Sequence, residues 1–332
     1  MASVQPAISG SGEPATATRS IPSSRDLPAV EVGTRPRRTD PMLRLAYFIL
    51  RQQYERLRLQ HGALLGEDNA HNVHAMRVTT RKIRAALRLF REMLPEPART
   101  TLQEELRWLA AELGRARDSD VFCATLQACR KQLDAQDAAV LDYHLQHLAA
   151  ARSRVGRIMI EALGSSRCAS LFERYAGFVS DQPSPFALNR WSSFRICDGV
   201  SVYLDKSLRR IAKRGRRIGK RSPARELHRL RIDVKRYRYL LEYFLPLYKR
   251  KLKRPLKATR CLQNLLGEHQ DACVAETHIR AAAKAIVSAD ELVALGRLVE
   301  LQAQKAARSR KSFPNAWRRF KAVQPSLPLM AR

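Results

Sequence analysis

A row of basic side chains recurs at helical spacing in the first third of the chain. Steps of three, four, three and four residues place its members within about 80° of one another on an α-helix. Arginine binds phosphate oxygens through planar, forked hydrogen bonds that lysine cannot match. Such a row is therefore suited to holding a repeated anion. Its members are His74, Arg77, Arg81, Arg84 and Arg88.

The same arrangement returns in the second half of the chain. The segment HAMRVTTRKIRAALRLF from His74 aligns with HRLRIDVKRYRYLLEYF from His228, an offset of 154 residues (228 minus 74). Glu242 stands where the first copy has Arg88, and it interrupts the second row. The matching pairs are His74 with His228, Arg77 with Arg231, Arg81 with Lys235, Lys82 with Arg236, Arg84 with Arg238, Leu87 with Leu241, and Phe90 with Phe244.

A second match lies nearly in register with the first. RWLAAELGRARDSDV from Arg107 aligns with RCLQNLLGEHQDACV from Arg260 at an offset of 153 residues (260 minus 107). Two matches at almost one offset indicate an internal duplication, so we predict two helical units, residues 41–180 and 195–322, related by a pseudo-two-fold axis. The second match pairs Arg107 with Arg260, Gly114 with Gly267, and Asp118 with Asp271.

The elements that position these rows are predicted to be helices throughout. Apolar residues recur at helical spacing from Met42 onward, without strand-like alternation. The fold class is therefore all-α, a helical bundle with a basic groove between two pseudo-symmetric halves. The predicted core faces lie opposite the cations. They comprise Met76, Ile83, Leu87 and Phe90 in the first copy, and Leu230, Tyr237, Leu241 and Phe244 in the second.

Proline, glycine and capping residues mark the predicted ends of these helices. Ser222 before Pro223 is typical of an N-cap, as are Asp68 and Asn69. Residues 1–40 and 323–332 are predicted to be tails, the first of them disordered because its Ser, Thr, Pro and Gly content offers little to bury. Helix breaks are predicted at Pro95, Pro97, Gly114, Gly164, residues 181–185, Gly219, Pro246, Pro255 and Gly267.

The charge of the chain indicates a polyanionic partner. Its 61 Lys and Arg residues against 31 Asp and Glu residues give a formal net charge of +30. Nucleic acid, an anionic membrane surface and polyphosphate all suit that field. Two basic runs, residues 209–221 and 249–257, either extend the groove or merely surround it. If the two rows face each other, a flexible phosphate chain fits between them, and affinity should fall steeply with salt.

Other kinds of site are less well supported by the sequence. His71 with His74, and His144 with His147, lack further metal ligands at suitable spacing. Asp118, which follows Gly114 and precedes Asp120, is better explained as an N-cap than as a magnesium ligand. No catalytic triad, Walker loop or dinucleotide fingerprint occurs, so we predict no enzymatic activity, metal or cofactor.

The six cysteines are expected to be reduced and mostly buried. Without an apolar run long enough to span a bilayer, we expect a cytoplasmic protein with no membrane insertion.

The duplicated His-x-x-Arg-x-x-x-basic-basic-x-Arg pattern, with two Leu-Gly elements each followed by an aspartate, resembles the CHAD family, the conserved histidine α-helical domain. The resemblance covers nearly all of residues 41–320. It implies a bundle of two pseudo-symmetric halves that binds inorganic polyphosphate and can associate with polyphosphate granules. The implied phosphate contacts, taken together with the basic rows, are His74, Arg77, Arg81, Lys82, Arg84, Arg88, Arg107, His228, Arg231, Lys235, Arg236, Arg238 and Arg260.

The predicted function is therefore non-enzymatic binding of inorganic polyphosphate, with recruitment to granules as a consequence. Two alternatives remain open from the sequence. One is a nucleic-acid-binding protein that uses the same groove for contacts with phosphates, independently of base sequence. The other is a polyphosphate-processing enzyme whose site has no familiar motif. Protein partners are not indicated by any segment of the chain.

Overall fold

A computed structural model describes residues 33–66, 70–180, 194–219, 221–284 and 288–324. These residues form helices and no strand, which confirms the all-α prediction. None of the helices in these ranges is long and apolar enough to cross a membrane. The helices are α1 (Met42–Gly66), α2 (Ala70–Leu89), a 3-10 turn (Arg91–Met93), α3 (Glu96–Arg130), α4 (Ala135–Leu163), α5 (Ser166–Ser180), α6 (Ile196–Gly215), α7 (Ala224–Ala283) and α8 (Ala289–Ala322).

The apolar faces of α2 and α7 pack into one core, as their periodicity predicts. All eight predicted core side chains, four in each copy, have no exposed surface. Each fully buried leucine or phenylalanine stabilises the fold by about 2 kcal/mol relative to an exposed one. Tyr243 of α7 donates a hydrogen bond of 2.7 Å to the carbonyl oxygen of Lys82 in α2. This contact fixes the two helices that carry the basic rows against each other.

Helix α7 bends near the break predicted at Pro246, whereas the break predicted at Pro255 is wrong because that residue lies inside the continuing helix. Tyr248 lies between them with φ −125° and ψ 27°, outside the helical region. The preceding carbonyl, that of Leu247, accepts hydrogen bonds of 3.0 and 2.9 Å from the guanidinium of Arg38. The same guanidinium lies 4.5 Å from the centre of the Tyr248 ring. Arg38, in the segment before α1, therefore supports the bend, which divides α7 into a first arm before Tyr248 and a second arm after it.

The glycine breaks predicted at positions 114 and 267 are wrong. Gly114 lies inside α3, and Gly267 lies inside the second arm of α7. Glycine costs a helix only about 1 kcal/mol relative to alanine, which tertiary packing easily offsets. At Gly267 an added Cβ would lie 3.6 Å from a terminal nitrogen of Arg231. This glycine lets an arginine of the predicted site lie close to the backbone.

Two predicted N-caps are also wrong. Helix α7 begins after Pro223 without a side-chain cap, and Ser222 instead accepts a hydrogen bond from the backbone of Gly219. Asp118 lies inside α3, where it pairs with Arg77, so it caps no helix. Asp68 and Asn69 lie outside the described residues, as do residues 1–32 and 325–332 of the predicted tails. The six cysteines are free, but only Cys129 and Cys168 are buried, which contradicts the expectation that most would be.

Candidate anion-binding site

Helices α2 and α7 bring the centres of the two basic rows together. The charges of Arg77, Arg231 and Arg238 act on both Arg81 of α2 and Lys235 of α7 and help burial to lower the pKa values of these two residues. Neighbouring positive charges repel one another, so the arrangement is unfavourable unless an anion binds between them. We call this group the basic cluster. Its members are Arg77, Arg81, Arg231, Lys235 and Arg238.

The centre of the basic cluster is partly buried and lacks acidic partners among the described residues. Burial is the main cause that lowers the pKa of Arg81, and the charges of neighbouring arginines lower it further against an opposing effect of Tyr239. Burial likewise lowers the pKa of Lys235 to about 8, with Arg81 and Arg231 as the next causes. Within the described part of the chain, neither Arg81 nor Lys235 forms an ion pair. Desolvated cations without counterions bind an anion strongly because little water must be removed.

Unpaired donors in the cluster strengthen this interpretation. The Nε atoms of Arg81, Arg231 and Arg238 are buried and have no hydrogen-bond partner. An unsatisfied buried N–H typically costs about 1–3 kcal/mol, and more on a charged group. Bound phosphate oxygens reaching these atoms, or reorienting the side chains, would remove that cost. The cluster is thus a set of donors arranged before any anion is present.

Two ion pairs at matching positions flank the cluster. Arg77 lies 3.0 Å from Asp118 of α3, and Arg231 lies 3.7 Å from Asp271 in the second arm of α7. The two aspartates are more than half exposed, at 64% and 59% of their side chains. Because exposed ion pairs contribute little, a phosphate oxygen can replace either carboxylate at small cost. The aspartates hold the arginines in place without neutralising the centre.

The two histidines that begin the rows have different surroundings. Much of His74 remains accessible to solvent, but desolvation of the rest of the side chain lowers its pKa, and the charges of Arg117, Arg81 and Arg77 lower it further. His228 instead forms a hydrogen bond of 2.8 Å through Nδ1 to the side-chain oxygen of Gln270. A bound anion would therefore act most directly on the protonation of His74.

Glu242, the exception to the second row, serves as an internal counterion. Its side chain, 14% exposed, pairs with Lys82 at 3.4 Å, Arg238 at 3.3 Å and Arg260 at 3.1 Å. Burial by itself would raise the pKa of Glu242, but these cations outweigh it and the pKa is lowered. Three predicted contacts, Lys82, Arg238 and Arg260, therefore already have a counterion, and of these only Arg238 also belongs to the basic cluster.

A second buried acid neutralises another part of the predicted site. Asp233, 1% exposed, pairs with Arg210 at 3.1 Å, Arg214 at 2.9 Å and Arg236 at 3.7 Å. Arg210 and Arg214 tie α6 to the first arm of α7, whereas Arg236 pairs with Asp233 within α7. Arg236 therefore belongs to a structural ion-pair network, although it is sequence-equivalent to Lys82 and was predicted to contact phosphate.

The remaining predicted residues form an outer row beside the cluster. Burial is the main cause that lowers the pKa values of Arg84 and Arg88. The charge of Arg107 lowers the pKa of Arg84 further, and the charge of Arg84 lowers that of Arg88. Arg88 in turn lowers the pKa of Arg236. Arg117, which sequence reasoning missed, joins the site through His74. Its position directly before Asp118 was the available signal. Among the described side chains, no group of three His, Cys, Asp or Glu residues converges to hold a metal ion.

Comparison with known proteins places this geometry in a family. Residues 48–280 match the model of the CHAD domain, which covers more than half of the chain. The chain belongs to the CHAD family. The family prediction made from the duplicated motifs is confirmed. The crystal structure of the CHAD domain from the plant Ricinus communis is similar with a TM-score of 0.68 and 27% identity, over 89% of this chain and 96% of that one.

Other similar proteins have lower sequence identity or are longer than this chain. PptA from Streptomyces chartreusis shares the fold with a TM-score of 0.66 and 21% identity, over 84% of this chain and 99% of that one. Two uncharacterized proteins of Mycobacterium tuberculosis, MT2285 and Rv2226, are 28% identical over 315 residues, or 91% of this chain. The chain spans 58% of the length of these two relatives.

Proposed function

We propose that this CHAD protein binds inorganic polyphosphate, without transforming it, along the basic cluster between α2 and α7. One observation carries the proposal: Arg81 and Lys235, at the centre of the cluster, are desolvated and unpaired within the described structure. A chain of repeated phosphates supplies several negative charges at short spacing, so one ligand can offset the mutual repulsion of all five cations. Membership of the CHAD family supports this ligand over other polyanions.

The proposal includes the internal duplication and the groove. Arg77–Asp118 and Arg231–Asp271 are ion pairs between residues that the two sequence offsets align. Such matched pairs support a pseudo-two-fold relation between residues 41–180 and 195–322. The polyphosphate chain would then contact equivalent arginines from both halves, and the outer row of Arg84, Arg88 and Arg107 would hold its continuation. Binding of this kind would recruit the protein to polyphosphate granules.

The decisive experiment compares two variants with equal loss of charge. The first replaces Arg77, Arg81, Arg231 and Lys235 with Ala. The second replaces four exposed cations of the bend and the second arm of α7 with Ala, at Lys249, Arg250, Lys253 and Lys257. At near-physiological salt, we expect the first variant to lose at least a hundredfold in affinity for long-chain polyphosphate, because four contacts at about 1 kcal/mol or more are removed. The second should lose less than fivefold.

Equal losses in the two variants would reject the basic cluster, since the net charge alone would then explain binding. Competition with duplex DNA at equal phosphate concentration tests the nucleic-acid alternative. Duplex DNA is rigid and wide, so it should fail to displace polyphosphate from a site between two helices. Efficient displacement would favour the nucleic-acid function, and release of phosphate with added magnesium or manganese would favour the enzymatic one.

A further inference from the structure

A cleft of about 750 Å³ lies between α3, the second arm of α7 and α8. None of the five residues of the basic cluster lines it, although Asp271, the partner of Arg231, stands at its edge. Sites for small molecules commonly have volumes of about 300–1,000 Å³. The α3–α8 cleft is therefore large enough for a ligand of its own, separate from a phosphate chain.

The floor of the cleft contains a buried carboxamide that is only half satisfied. Gln302, 3% exposed, donates through Nε2 to the sulfur of Cys129 at 3.0 Å, while its Oε1 is buried without a hydrogen-bond partner. Turning the carboxamide over would exchange these roles and still leave one polar atom unpaired. A ligand edge that carries a donor beside an acceptor satisfies the carboxamide either way. Nucleobases have such edges, and glutamine pairs with them in this manner.

The walls and the rim of the cleft supply the other parts of a recognition site. Val121, Leu265 and Leu301 offer apolar surface against which a planar ring can pack. Arg117, Lys305 and Arg308 contribute cations suited to phosphate oxygens. Two carboxylates at the same edge can accept hydrogen bonds from sugar hydroxyls. They belong to Glu268 and Asp271.

We propose that the α3–α8 cleft is a binding site for a nucleoside phosphate. The buried carboxamide recognises the base, the apolar walls pack on its ring, and the cationic rim holds the phosphates. No residue of the basic cluster takes part, so this site does not depend on the proposed polyphosphate function. Arg117 nevertheless connects the two regions, because its charge also lowers the pKa of His74.

The test uses ATP and the full chain, with calorimetry at fixed near-physiological salt. Gln302→Leu removes the carboxamide at similar volume, and we expect at least tenfold weaker ATP binding because a base contact is lost. Lys305→Ala combined with Arg308→Ala changes only exposed residues and should also weaken binding about tenfold. Lys249→Ala with Arg250→Ala is the charge-matched control, and Arg81→Ala with Lys235→Ala removes the centre of the basic cluster. The control should stay within twofold of the wild type, and the Arg81→Ala, Lys235→Ala variant should retain saturable ATP binding because the cleft is unchanged.

Several outcomes would overturn the nucleotide site. They are the absence of saturable ATP binding, equal binding by the Gln302→Leu variant, and loss of ATP binding in the Arg81→Ala, Lys235→Ala variant. Displacement of ATP by inorganic triphosphate at equal concentration would also reject it, because the base would then contribute nothing. Thermal unfolding of each variant checks that the fold is intact, and the exposed double variant decides the matter if Gln302→Leu is unstable.

Discussion

The basic rows of α2 and α7 begin alike and end differently. Up to Arg84 and Arg238 both copies carry cations at matching positions, and the two rows meet in the basic cluster. Beyond this point Arg88 remains exposed, while Glu242 turns inward and pairs with three cations. The first row thus ends in a solvent-exposed arginine, whereas the second ends in a largely buried glutamate. One copy can extend an anion-binding surface while the other stabilises the helix pair that supports it.

The largest difference between the copies should appear in stability. Glu242→Gln leaves Lys82, Arg238 and Arg260 without their shared carboxylate, so we expect a loss of about 3 kcal/mol in the free energy of unfolding. Arg88→Gln at the equivalent exposed position should change it by less than about 0.5 kcal/mol. Urea unfolding measures both without adding salt. Similar effects of the two substitutions would mean that Glu242 is only a surface acid.

A smaller difference between the two copies is expected in polyphosphate affinity at alkaline pH, where Lys235 loses its charge and Arg81 keeps it. Lys235 has a pKa lowered to about 8 by burial and neighbouring cations, whereas arginine stays charged. A bound polyphosphate raises the pKa of Lys235, so affinity is full below pH 8 and falls as the pH rises above it. We expect about a three- to tenfold loss between pH 7.5 and 9.5. Lys235→Arg, which copies the first half, should remove most of this loss; an unchanged profile would place the titration elsewhere.

The smallest effect concerns the two histidines on the acidic side. The pKa of free His74 is lowered by partial burial and then mainly by Arg117, Arg81 and Arg77, and His71 adds to this. Bound phosphate opposes these charges and raises that pKa, so affinity should increase as the pH falls below about 6.5. We expect a gain of about two- to fivefold by pH 5.5. His74→Gln should reduce the gain more than His228→Gln; the reverse order would contradict the difference between the rows.

The sequence by itself determined the helical fold and the existence of two basic rows. Both depend on a period of 3.6 residues, which relates residues three and four apart and is therefore visible locally. The apolar faces that include Phe90 and Phe244 were predicted for the same reason and are fully buried. Glycine and proline were less informative, because packing holds Gly114 and Gly267 inside helices that their low propensity would end.

Only the tertiary structure decided which cations are available to an anion. Lys82, Arg236 and Arg260 look like their neighbours in the sequence, but Glu242 and Asp233 neutralise them in the fold. Glu242 and Asp233 differ from acidic residues on the surface only in being largely buried. That burial depends on how α6 and both arms of α7 pack. Arg81 and Lys235, 154 residues apart (235 minus 81), share one desolvated centre because α2 and α7 lie side by side. Helical period is a local property, whereas desolvation and pairing depend on contacts between distant segments.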